Sequence, residues 1–237
     1  MIYAVVDYRI SNSILKNLSN FAERILPLPP HPSLPAPVAS HPDMLLWQFG
    51  KQIVTYADYL SVAKNIFREL EALGYSIVTT DKSPSDKYPD DVGLNCAVVE
   101  KTVFCNKKHV SKKVRDISDK EGLTVLHVNQ GYAKCSTVCV SPDAIITADP
   151  SIYSAATAAG IDALKIAEGH VRLDGYDTGF IGGATGVTDT EVLFCGNLSF
   201  HPDAERISGF CATHGKRAVS LSKEPLYDYG TVMFFAE

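Results

Sequence analysis

A single short pattern recurs five times along this chain, and a repeat of that period constrains the architecture before any individual motif does. The apolar runs are Ile2–Asp7, Lys51–Tyr56, Lys101–Asn106, Asp143–Ala148 and Glu191–Gly196. Each opens polar or at a turn and then runs apolar. Their starts lie 42 to 50 positions apart, and counting from residue 191 through the C-terminus back to residue 2 gives 48. The clearest copy is 131–148, where Cys135–Val140 is a β-branched run, Ser141-Pro142-Asp143 is turn chemistry, and Ala144–Ala148 is a second run. Each repeated run is therefore the second arm of a hairpin.

A helical pattern follows every run. Asn12–Ala22 carries Ile14, Leu15, Leu18 and Phe21 on one stripe behind Ser11 or Asn12 as cap, and Ala57–Leu73 has apolar residues at i, i+3 and i+4. Helices are also expected over Val110–Lys120, Ser151–Ala159 and Pro202–His214. The last four stop at Gly74, Gly122, Gly160 and Gly215. A third strand comes next in each unit, at Arg24–Leu28, Tyr75–Thr80, Leu123–Val128, Asp162–Ile166 and Lys216–Leu221. The first hairpin arms are Met44–Phe49, Cys96–Val99, Cys135–Val140, Phe180–Thr185 and Thr231–Phe235. The last has no partner after it, so it is expected to pair with Tyr3–Val6 and to hide the sheet edges that an open array would expose. The fold class is α/β, five ββαβ units with the C-terminal strand closing onto the N-terminal strand, in a single domain spanning 1–237. The stretch 26–42 holds seven of the 13 prolines and interrupts the rhythm, either as a linker or as a flap over the mouth.

Composition narrows the function classes. A net charge of −5 gives no reason to expect nucleic acid or an anionic membrane as partner, and the basic cluster at Lys107, Lys108, Lys112, Lys113 and Arg115 is interleaved with acids. No basic leader with an apolar core is visible and no apolar run reaches about 18 residues, so a cytoplasmic location is expected. The six cysteines lack CxxC spacing and read as reduced core thiols. Cys135 and Cys139 on one strand face stand too far apart for one tetrahedral ion, so no metal and no cofactor are expected. The run Phe180–Gly186 lacks phosphate-loop spacing, and its small residues read as crowding between strands.

Five head-to-tail ββαβ units of this length resemble the pentein fold, the α/β propeller of the guanidino-group modifying enzymes. These include arginine and agmatine deiminases, dimethylarginine dimethylaminohydrolase and the amidinotransferases, with a non-enzymatic ribosomal anti-association factor as relative. The resemblance implies that the first strand of each unit is innermost and that the residues leading into it face the fivefold axis. Those stretches carry His41 and Asp43, Asp91 and Asn95, Tyr132 and Lys134, Asp177, and Asp228. Buried beside apolar strands, such residues need water, one another or a ligand. Asp43, Asp91, Asn95, Tyr132, Lys134, Asp177 and Asp228 are accordingly the candidate ligand-binding residues.

The resemblance also implies a cysteine nucleophile in the last inner strand after an Asp-Gly-Gly-x-x-Cys approach, where this chain has Asp228-Tyr229-Gly230-Thr231-Val232-Met233. A histidine is implied at the start of the fourth unit, where Tyr132 and Lys134 stand. The expected function is therefore binding of a small cationic or zwitterionic molecule at an acidic axial mouth, with the usual Cys and His absent from their places. One alternative is an active guanidino hydrolase or amidinotransferase using a displaced thiol, with Cys135 or Cys96 as nucleophile and His41 as base; His170 also lies near a unit start. The other is a protein-binding ring.

Overall fold

The computed structural model describes residues 1–237. The first unit holds β1 (Ile2–Asp7), α1 (Asn12–Leu18) and β2 (Arg24–Leu28). The second has α2 (Pro42–Leu45), β3 (Trp47–Phe49), β4 (Gln52–Tyr56), α3 (Tyr59–Val62), α4 (Lys64–Ala72) and β5 (Ser76–Thr80). Then come β6 (Ala97–Val99), β7 (Thr102–Cys105), α5 (Lys112–Lys120) and β8 (Thr124–His127), followed by β9 (Thr137–Ser141), β10 (Ala144–Thr147), α6 (Pro150–Ala158) and β11 (Asp162–Lys165). The fifth has β12 (Thr185–Val187), β13 (Glu191–Phe194), α7 (Ala204–Thr213) and β14 (Arg217–Ser220), and the chain ends in β15 (Met233–Ala236).

Five three-stranded sheets result, each with the repeated run in the middle, an antiparallel hairpin arm on one side and a parallel strand on the other. The parallel pairing requires a crossover, which the helix of each unit supplies. Closure occurs as expected: β15 pairs antiparallel with β1, Tyr3 opposite Phe235 and Val5 opposite Met233. The middle strands β10 and β13 are buried at every position, because a helix covers one face and inner strands the other. This explains why the repeated runs read as continuously apolar rather than alternating.

The four glycine stops all adopt left-handed backbone, with φ of +83, +67, +77 and +71° at Gly74, Gly122, Gly160 and Gly215. Side chains cap the opposite ends of two of these helices: Ser111 accepts from the Lys113 amide, and Asp149 from those of Ser151 and Ile152.

Three differences from the sequence reading bear on the site. The expected helix over Ala57–Leu73 is divided at Ala63. The expected strand Met44–Phe49 begins as the turn of helix α2, with Pro42 at its first position, so only Trp47–Phe49 is strand. The expected strand Phe180–Thr185 is a tight turn up to Ala184, whose amide donates to the Phe180 and Ile181 carbonyls. The reason is close approach. A Cβ on Gly182 would lie 2.5 Å from the Lys134 and Thr137 carbonyl oxygens, and one on Gly183 would overlap Asp228.

The proline-rich segment folds back on itself, with the His31 amide bonded to the Ala39 carbonyl at 2.7 Å and Leu34, Val38 and Ala39 buried. Arg9 donates to the Ala36 and Pro37 carbonyls at 3.1 and 2.6 Å, which pins the segment beside the end of β1 and leads it into His41.

Candidate functional site

The stretches before the inner strands converge on a buried polar cluster. His41, Asp43, Asn95 and Asp228 are each 1% exposed, Cys135 is 3% exposed, and the end of β1 adds Asp7 at 0%. Helix α2 places Asp43, whose amide donates to the Gly230 carbonyl at 3.0 Å. The Cys135 thiol donates to Asp43 Oδ1 at 3.1 Å, and the Thr231 hydroxyl donates to Asp43 Oδ2 at 2.8 Å. Asn95 ties the arrangement together. Its Oδ1 accepts from the amides of Lys134 and Cys135 at 2.8 and 3.2 Å, while Nδ2 lies 3.0 Å from Cys135 Sγ and 3.3 Å from Asp43 Oδ1.

His41 stands between two carboxylates, Nε2 3.7 Å from Asp7 and Nδ1 3.8 Å from Asp228, and neither nitrogen has a hydrogen-bond partner. A buried imidazole left this way carries an unmet hydrogen-bond demand. Asp7 is also bonded by the Arg9 guanidinium through Nε at 2.9 Å. Asp228 accepts from the amides of Phe180 and Gly230 at 2.8 and 2.9 Å. Burial raises its pKa to about 6, opposed by His41 and reinforced by Asp43. Burial likewise pushes the Cys135 thiol well up, with Asp43 and Asp228 adding to the shift, so the resting group is a thiol. Gly230 at φ +70° allows His41 to sit against the backbone, since a Cβ there would overlap its side chain; Thr231 follows, also at φ +70°.

Of the residues singled out in the sequence, Cys135, His41, Asp43, Asn95 and Asp228 come together. Asp91 and Tyr132 form a neighbouring pair through a 2.6 Å bond from the tyrosine hydroxyl to Asp91 Oδ2, with the second Asp91 oxygen buried and unpartnered. Burial raises the Asp91 pKa against that bond. The Tyr132 ring stacks 5.9 Å from Phe180. The others lie apart. Asp177 is exposed. Cys96 is buried, and the neighbouring Cys105 thiol together with burial raises its pKa. Lys134 sends its ammonium to the Thr137 carbonyl at 3.5 Å and to the Thr231 hydroxyl at 3.2 Å, which stands between it and Asp43. His170 packs on His201 at 5.2 Å.

Asp7, Arg9 and Thr231 were not singled out. An aspartate ending an apolar strand with an arginine two positions on was the available signal for the first two; nothing local marked Thr231. Donor atoms of His41, Asp43 and Cys135 lie within 4.8 Å of one another, a mixed nitrogen, oxygen and sulfur set of the type zinc accepts. The sequence reading considered only the Cys135–Cys139 pair and could not see this set, because it joins two units. All six cysteines are free, and no helix is long and apolar enough to cross a membrane.

Comparison with known proteins agrees with the fold. DDAH from Pseudomonas aeruginosa, complexed with citrulline, superposes with a TM-score of 0.56 at 11% identity, covering 93% of this chain and 91% of that one. The amidinotransferase SxtG from Microseira wollei gives 0.54 at 11%, covering 93% and 88%. Agmatine deiminase from C. jejuni gives 0.54 at 10%, covering 93% and 87%. No curated protein matches by sequence. Five repeats, terminal closure and these likenesses define a pentein-type fold, the class of the guanidino-group modifying enzymes. The chain belongs to a family of unknown function, DUF6873, whose model matches residues 5–233.

Proposed function

We propose that the protein takes a guanidino compound at the buried carboxylates and acts on it with Cys135 as the nucleophile, as a hydrolase or amidinotransferase. The observation that carries this reading is the convergence of His41, Asp43 and Cys135, donor atoms within 4.8 Å, from two different units. Of the three buried aspartates only Asp7 is bonded by a guanidinium, that of Arg9, so Asp43 and Asp228 lack a directly bonded positive charge. A guanidinium between Asp43 and Asp228 supplies it, with planar N–H groups matched to carboxylates.

The same charge lowers the thiol pKa, since Asp43 and Asp228 are what reinforce the effect of burial on Cys135. The thiol proton passes to Asp43 Oδ1, its present acceptor, as sulfur bonds to the guanidinium carbon. His41 protonates the departing amine as the C–N bond breaks. In the hydrolase, water then attacks the thiouronium carbon, His41 takes one proton of that water, and the C–S bond breaks to release a ureido product. The sulfur takes back the proton held by Asp43, and the second water proton leaves with the released amine as its ammonium. In the transferase an amine takes the place of water.

A second reading, cation binding without turnover, is favoured by one feature. Met233 stands in the last inner strand, at the position where the resemblance places the thiol. Calorimetry with arginine and agmatine separates the site from its absence. Both readings expect affinity that falls at least tenfold in Asp43→Asn. Binding unchanged in that variant contradicts both.

A further inference from the structure

Beyond the acidic cluster, the five inner strands line a partly open cavity of about 220 Å³, whose walls include Trp47, Val98, Cys139, Val187 and Met233. We propose that this cavity is a separate binding site for a small organic monoanion with an apolar body, such as a medium-chain carboxylate, held by Lys134.

Lys134 is the only charged residue among the 14 that line the space, and no acid is among them. Its half-buried ammonium donates to two neutral oxygens, Thr137 O at 3.5 Å and Thr231 Oγ1 at 3.2 Å, which leaves one of its three N–H groups free. Its counter-charge, Asp43, is reached only through the Thr231 hydroxyl, so the ammonium has no direct ionic partner. Trp47 lines the same space, and its indole N–H is buried without a partner. Nine of the 14 lining residues are hydrophobic, which favours an alkyl or aromatic body over a fully polar anion. The volume equals that of about seven waters at ~30 Å³ each, which limits the body to a short chain or one ring.

The Thr231 hydroxyl is the partition between the two sites, since it contacts Lys134 on one side and Asp43 on the other. Opposite charge preference follows on the two sides. The acidic cluster selects cations and the inner cavity selects anions. The inference does not depend on Cys135 chemistry.

Calorimetry on the full chain at constant ionic strength tests it with hexanoate, acetate, hexanol and hexylamine. Hexanoate binds, with acetate and hexanol at least tenfold weaker and hexylamine without signal. Lys134→Met removes the charge while keeping the stem, and Val98→Phe fills the space while keeping the charge. Each weakens hexanoate at least tenfold, and the second variant keeps the test open should the first fail to fold. Hexanoate affinity unchanged in either folded variant, hexylamine binding as well as hexanoate, or chloride competing at equal concentration overturns the proposal.

Discussion

The Cys135 thiol lies 3.1 Å from the Asp43 carboxylate although 92 positions separate them in the chain. This contact is made between the second and fourth repeats, by the turns that precede two inner strands. It draws its geometry from ring closure, because β15 must pair with β1 for Gly230 and Thr231 to back onto Asp43.

Closure itself is open to test through Phe235. Its ring is fully buried and meets Tyr75 edge-on at 5.1 Å. Phe235→Ala is expected to cost about 3–5 kcal/mol in urea unfolding, the range for emptying a packed aromatic site. A loss under about 1 kcal/mol shows that the C-terminal strand is not part of the core.

Arg9 joins the buried Asp7 to the proline-rich segment. Arg9→Ala leaves Asp7 without its guanidinium and is expected to cost roughly 3 kcal/mol, as removal of one partner from a buried pair does. The same change should open residues 29–40 to limited proteolysis before the rest of the chain. Unchanged cleavage there means that the segment is held by its own packing.

Much of this was legible in the sequence. The period, the glycine stops at Gly74, Gly122, Gly160 and Gly215, and the unpaired last strand gave the architecture, because each is a local signal repeated four or five times or a mismatch at one end. His41, Asp43, Asn95, Cys135 and Asp228 could be picked out as polar residues beside apolar strands. Which of them meet was not legible. Lys134 and Cys135 are neighbours in sequence, yet the turn over 132–136 sends one to each side of Thr231. Asp177 shares the pattern of Asp228 but sits on an exposed loop.

The pKa of Asp228, raised by burial to about 6, gives a signed pH dependence. The unfolded chain ionises this group near the ordinary carboxylate value of 3.8. Between that pH and about 6 the folded state holds the extra proton, so this group's contribution to stability falls as pH rises. Asp228→Asn removes that slope. Its melting temperature relative to the parent should therefore rise from pH 4 to pH 7. A constant difference across that range refutes the shift.

Cation affinity should move the other way. A guanidinium binds the ionised carboxylate, so arginine or agmatine affinity in the parent increases as pH passes upward through about 6, and this increase is absent in Asp228→Asn. Affinity that is flat from pH 5 to pH 7 places the cation elsewhere.

The most direct test of the account is ureido or amidino-transfer product formation by the full chain with arginine, agmatine and methylated arginines, each with and without an amine acceptor, for the parent and Cys135→Ser. The account predicts product from at least one of these compounds with the parent and background with Cys135→Ser, while that variant still binds the compound by calorimetry. Product unchanged by the substitution, or binding with no product from any of them, contradicts Cys135 as the nucleophile.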